Sequence, residues 1–153
     1  MDLVRELRLV TATREEAGVP YAVCGGLAVT IHGATRSTKD IDLLVREDDV
    51  ETIAERLRPL GWRFRALPMR FDEGTPKERL LHRISKIEGR HVLVLDLLVV
   101  MPVFEEIWAT RERVDLPDGH LTVVSREGLA TMKRLAGRNQ DLADLERLGL
   151  DDV

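Results

Sequence analysis

Cys24-Gly25-Gly26 and, fourteen residues after Gly26, Asp40-Ile41-Asp42-Leu43 decide how this chain is read. Tyr21 to Cys24 is a short apolar run and reads as a strand. It runs into Gly25-Gly26, between strand and helix, and Leu27 to His32 then reads as a helix ended by Gly33. A polar stretch, Arg36 to Lys39, leads into a second strand, Asp40 to Val45. On a strand, residues i and i+2 point to one side, so Asp40 and Asp42 project together. Two like charges held that close repel each other unless a cation sits between them. Magnesium suits such a pair, because it prefers carboxylate oxygens and keeps its other positions for water and substrate phosphates. The alternative is that Asp40 caps a turn and Asp42 is a solvated strand residue.

Asp96 adds a third carboxylate. It lies inside Val92-Leu93-Val94-Leu95-Asp96-Leu97-Leu98-Val99-Val100, a run apolar on both faces and therefore a strand covered on both sides. A carboxylate there needs a metal or a partner; the alternative to metal is a salt bridge with a buried arginine. Three carboxylates on adjacent strands make a site for two divalent ions, which hold the attacking and leaving oxygens of an in-line phosphoryl displacement. Gly25 and Gly26 supply the other half. Between a strand and a helix, their backbone N–H groups and the helix N-terminus can face a phosphate, with no side chain in the way.

Outward from this centre, Leu3, Leu7 and Val10 have helical spacing, stopped by Gly18 and Pro20. Val50, Ile53, Ala54, Leu57 and Leu60 mark a further helix, with Asp48 and Asp49 at its N-terminus and Gly61 as its cap. Trp62 to Leu67 reads as a strand and Pro68 to Lys77 as a loop. Leu80 to Ile87 and His91 to Val100 read as a hairpin around Glu88-Gly89-Arg90. Phe104, Ile107 and Trp108 mark a short helix. Leu121 to Val124 is a strand after the turn Pro117-Asp118-Gly119. Ser125 is a good N-cap for a helix to about Gly137, and a last helix covers Asp141 to Leu148. This alternation predicts an α/β fold: a mixed β-sheet flanked by helices, with helices at the C-terminus. No linker or repeat divides residues 1–153, so one domain is expected.

Composition narrows the function. Asp2, Glu6, Glu15 and Glu16 exclude a signal peptide, and the longest apolar region, Val92 to Phe104, is too short to span a bilayer. The single cysteine, Cys24, rules out an intrachain disulfide and cysteine-rich zinc cages, and a cytoplasmic home follows. The four histidines have no metal-ligating spacing. The net charge of -4 argues against a whole-surface nucleic-acid binder, yet Arg56 to Arg90 holds ten Lys/Arg and four Asp/Glu, a net of +6. Strand alternation puts Arg63 and Arg65 on one exposed face and Trp62 and Phe64 on the other. Aromatics amount to 4%, too few for a platform that stacks several bases, so RNA would bind mainly through phosphates and ends. Lys133 shares a helical face with Leu129, Met132 and Ala136, so it either snorkels outward or meets an anion.

The Cys24-Gly25-Gly26 and Asp40-Ile41-Asp42-Leu43 stretch, with Asp96 later, resembles the nucleotidyltransferase superfamily typified by DNA polymerase beta; Cys24 departs mildly at the apolar position. The resemblance covers residues 21–100. It implies that Asp40, Asp42 and Asp96 hold Mg2+, two ions in number, and that Gly25 and Gly26 cradle the β- and γ-phosphates of an NTP. Narrower is the likeness of Thr35-Arg36-Ser37-Thr38-Lys39-Asp40-Ile41-Asp42, Lys133 and Gly137-Arg138-Asn139-Gln140-Asp141-Leu142-Ala143-Asp144-Leu145 to AbiEii-type proteins. Those are toxin-like nucleotidyltransferases of abortive-infection and type IV toxin–antitoxin systems. That likeness implies Arg36, Thr38 and Lys133 as nucleotide contacts, an RNA (tRNA-like) 3′ end or a protein hydroxyl as acceptor, and an antitoxin partner. The same stretch is similar to small antibiotic nucleotidyltransferases, which implies a small-molecule acceptor instead. An inactive nucleotide-binding regulatory module is the remaining alternative.

Overall fold

The computed structural model describes residues 3–34, 37–117 and 119–150. Helix α1 (Leu3–Ala17) leads into β1 (Ala22–Cys24), α2 (Gly25–Ile31) and β2 (Asp40–Val45). Then come α3 (Val50–Leu57), β3 (Trp62–Arg65), β4 (Met69–Phe71) and the hairpin of β5 (Arg79–Glu88) and β6 (His91–Val99). The chain closes with α4 (Glu105–Ala109), β7 (Glu112–Leu116), β8 (Gly119–Val123), α5 (Arg126–Ala136) and α6 (Asn139–Leu148). The strands form one mixed sheet in the order β3-β5-β6-β2-β1-β8-β7, with β4 pairing β5 beside β3. The α/β architecture of a mixed sheet flanked by helices is thus the one expected.

The register sorts side chains onto two faces, because residues directly opposite one another share a face. Ile41, Leu43, Ile84, Leu95 and Leu97 line one face and are fully buried. Trp62 and Lys86 lie on this face too, and Lys86 Nζ reaches Glu6 Oε1 of α1 at 3.0 Å, which ties α1 to β5. Cys24, Asp42, Asp96 and Arg83 stand abreast on the other face, one from each of four neighbouring strands.

Local chemistry explains the boundaries. Ser125 Oγ accepts from the Gly128 N–H at 3.0 Å and caps α5, and Gly137, at φ 64°, ends it. α3 ends in a tight turn closed by Gly61. Four expectations differ from the observed elements. The helix expected from Leu27 begins two residues earlier, with Gly25-Gly26 in its first turn. The loop expected over Pro68 to Lys77 contains β4, a three-residue strand held by β5. β7 was not expected; its charged sequence, Glu112-Arg113-Val114-Asp115-Leu116, is organised by antiparallel pairing with β8. Last, β3 does not alternate: a bulge between Trp62 and Phe64 turns Phe64 to the Asp96 face and Arg65 to the other. Among the described residues no helix is long and apolar enough to cross a membrane.

Candidate active site

The site is assembled by register. Asp42 lies opposite Cys24 on one side and Asp96 on the other, so β1, β2 and β6 bring the Gly-Gly element and two carboxylates into one row. Asp40, two residues earlier on β2, lies opposite Val94 and faces the same way. The three aspartates named from sequence are therefore together on one face. Thr38 is half-buried just before β2, its hydroxyl 3.5 Å from the Asp40 carbonyl. Arg36 lies outside the described residues.

Gly25 has a steric duty at this centre. It sits at φ 64°, and a Cβ there would come within 2.1 Å of Asp42 Oδ2. Only glycine lets the Asp42 carboxylate lie against the start of α2. Gly26 is buried in the first turn of the same helix. Cys24, buried beside them, has its thiol pushed well up by burial and by the charge of Asp42.

Electrostatics separate the carboxylates. Burial, then the negative charges of Asp96 and Asp40, push the Asp42 carboxyl up from 3.8 to about 7, against smaller opposing pulls from Lys133 and Arg138. Asp96 is compensated: Arg83 donates to it through both arms of its fork, at 2.8 and 2.9 Å. That contact holds the Arg83 guanidinium above its ordinary value. The salt-bridge alternative for Asp96 is thus realised, with an arginine whose side chain is 40% exposed. In the sequence Arg83 is only one of the ten cations between Arg56 and Arg90. Counting outward from the hairpin pair Glu88 and His91 sets it opposite Asp96, which is the signal that finds it.

Lys133 meets an anion, as one of its two readings had it, and the anion is internal. Its buried ammonium lies 3.1 Å from Asp141 Oδ1 and 2.9 Å from Asp144 Oδ2. Arg138 donates to both oxygens of Asp141, at 2.7 and 3.2 Å, while Gln140 and Arg147 reach Asp144 Oδ1. Burial alone would raise the Asp141 carboxyl, but the Arg138 hydrogen bond and the Lys133 charge outweigh it and hold it below its ordinary value. This cluster pins α6 to α5 beside the aspartates of the sheet.

The donor chemistry fits a hard divalent cation. Asp40, Asp42 and Asp96 offer oxygen ligands only, and burial together with the neighbouring charges of Asp96 and Asp40 raises the Asp42 carboxyl, which a bound cation would reverse. Among the described residues no set of three His, Cys, Asp or Glu is drawn into a ready-made cage. Magnesium does not require one, since it is commonly held by one or two carboxylates with waters and substrate phosphates completing the shell.

A family model described as "Nucleotidyltransferase of unknown function (DUF6036)" matches residues 1–153. No curated protein matches the sequence. Among solved structures, a Thermotoga maritima protein assigned as a nucleotidyltransferase superposes with a TM-score of 0.62 at 17% identity, covering 98% of this chain and 93% of that one. The antibiotic-resistance factor ANT(2″)-Ia, solved with adenylyl-2″-tobramycin, superposes at 0.60 with 14% identity, covering 95% and 86%. At these identities the likeness is one of fold.

Proposed function

The chain belongs to the DUF6036 family of nucleotidyltransferases, and on that premise we propose that it moves a nucleoside monophosphate from an NTP to an acceptor hydroxyl in a Mg2+-dependent reaction. The single observation that carries the reading is the row of Gly25, Asp42 and Asp96: a glycine that lets a carboxylate lie against a helix start, and two aspartates in register on parallel strands. Asp40, Asp42 and Asp96 are the residues that would hold Mg2+, in one or two ions. When bound, Mg2+ neutralises the triphosphate and the charge that develops in the transition state.

The chain's own groups do the rest. The N–H groups at the start of α2 face the triphosphate, together with Thr38, and Arg36 is kept from the sequence as a further nucleotide contact. Asp96, its carboxylate oriented by the Arg83 fork, accepts the proton of the acceptor hydroxyl. The acceptor oxygen then forms a bond to the α-phosphorus, the bond from that phosphorus to the bridging oxygen breaks, and pyrophosphate leaves. Lys133 supports the site from behind, holding the α5–α6 corner through Asp141 and Asp144.

For the acceptor we favour an RNA 3′ end over a protein hydroxyl. The net +6 of residues 56–90 supports this, although several of its cations are spoken for: Arg65 by Glu51, Arg70 by Glu78, Arg79 by Asp72 and Lys86 by Glu6. A toxin-like role with an antitoxin partner rests on the AbiEii-like stretches, and a cytoplasmic setting on the single, buried thiol of Cys24. Pyrophosphate release from each NTP, with and without Mg2+, against total RNA, a protein extract and aminoglycosides tests the reading. Magnesium-dependent release stimulated by RNA is expected; no NTP binding under any condition would overturn it.

A further inference from the structure

The four arms of the Asp42 row are not the only aligned residues on this face. One step along the strands, Asp40 lies opposite Val94, Val94 opposite Ser85, and Ser85 opposite Phe64. A straight row thus runs from a proposed catalytic carboxylate to a phenylalanine ring three strands away, a span of about 14 Å at a strand spacing of ~4.8 Å. Ser85 and Val94, small and half-buried, form its floor. Ile87 and Val92, paired across the hairpin, flank it on one side and are 52% and 58% exposed. Arg83 flanks it on the other side.

Phe64 is 54% exposed. Strict alternation would bury it with Trp62 and give this face to Arg63 and Arg65. The bulge in β3 does the reverse, absorbing Arg63 so that Phe64 faces the site while Arg65 turns away to Glu51 at 2.8 Å. Bulges re-aim side chains and are over-represented next to active sites. An apolar ring turned out of a core that already accepts Trp62 forfeits the stabilisation of burial, so packing does not account for it. Phe71, 45% exposed, pairs with Arg79 on the same face, with the Arg79 guanidinium 5.3 Å from its ring.

We propose that the open sheet face of β3, β5 and β6 is the acceptor platform, and that it takes the single-stranded 3′ end of an RNA with a base stacked on Phe64 and the terminal hydroxyl directed along the row to the aspartates. The occupant is argued from chemistry. Aromatic rings and guanidinium groups on one face suit base faces and phosphates; this face carries Phe64, Phe71 with the Arg79 guanidinium 5.3 Å from its ring, and Arg83 beside the row. Scarcity of aromatic residues does not weigh against this, because two of the three phenylalanines stand exposed on this one face. The proposal rests on the nucleotidyltransferase reading but concerns different residues.

The test is fluorescence anisotropy of a labelled single-stranded RNA of about twelve nucleotides with a free 3′ hydroxyl, titrated with the full chain, alongside NTP binding measured separately with Mg2+. Phe64→Ala is expected to weaken RNA binding about tenfold, with Phe64→Trp restoring it, and all three proteins are expected to bind NTP equally and to melt alike. Equal RNA affinity for wild type and Phe64→Ala overturns the platform. So does a wild type that binds NTP but not the RNA; if it then labels a protein, the face docks a polypeptide. Loss of NTP binding in the wild type would instead bring down the nucleotidyltransferase reading, and the platform with it.

Discussion

Two acidic clusters lie close together, one on the sheet and one on the C-terminal helices, and the protein treats them in opposite ways. Asp141 and Asp144 are buried and answered from within, by Lys133 between them and by Arg138, Arg147 and Gln140 around them. On the sheet Arg83 pairs with Asp96, and Asp42 has its carboxyl pushed up to about 7, first by burial and then by the charges of Asp96 and Asp40. Carboxylates that merely support a fold come with their cations. The sheet aspartates instead stand in register at the meeting of three strands and a helix start, with Gly25 leaving room for the Asp42 carboxylate, and that placement is what marks them as the candidate site.

That contrast breaks most sharply at Asp42. Asp42→Asn keeps the shape and removes the charge; transfer is expected to fall on the order of a thousandfold, several kcal/mol of lost electrostatic stabilisation. Circular dichroism should stay unchanged, and a purified variant with wild-type turnover would sink the assignment. Next in size is Lys133→Met. It leaves two buried carboxylates without their shared cation and is expected to cost about 3 kcal/mol of stability in urea melts, with a smaller change in NTP affinity. A variant as stable as wild type but unable to bind NTP would move Lys133 from support to the triphosphate.

The smallest effect sharpens the difference through pH. Asp42 titrates near 3.8 when unfolded and at about 7 when folded. The folded state therefore holds its proton longer, and the stability this gives is fully present below pH 4 and lost as pH rises towards 7. Without divalent cation, melting at pH 8 should lie below that expected from the other groups by about 1–3 kcal/mol, with Mg2+ returning much of it. Asp42→Asn should abolish both the pH term and the Mg2+ response. The Asp141 and Asp144 cluster predicts no Mg2+ response of its own.

Much of this was legible in the sequence, for identifiable reasons. β2 was read as Asp40–Val45 and is observed so, because its apolar pattern and the preceding polar stretch agree. The three aspartates were found from their own chemistry, a paired i and i+2 set and a charge inside an apolar run. What escaped was set by pairing, not by local pattern. β4 and β7 exist because β5 and β8 offer hydrogen-bonding edges. Arg83 acquires its role from a residue thirteen positions away across a hairpin. The face of Phe64 depends on one bulged residue, which no periodicity reports. The pairing of Lys133 was half legible: an anion could be foreseen, but not that the chain supplies it from the next helix.

The Lys133 cluster also bears on how such a chain can change over time. Losing the lysine strands two buried acids, and losing either acid unbalances a buried lysine, so no single step out of the arrangement is neutral. Lys133, Asp141 and Asp144 behave as one unit of inheritance, replaced together or not at all. Among relatives that diverge freely elsewhere on α5 and α6, an alignment is expected to show these three positions covarying; independent drift at Asp144 would show that the lock is weaker than its 2.9 Å contact implies.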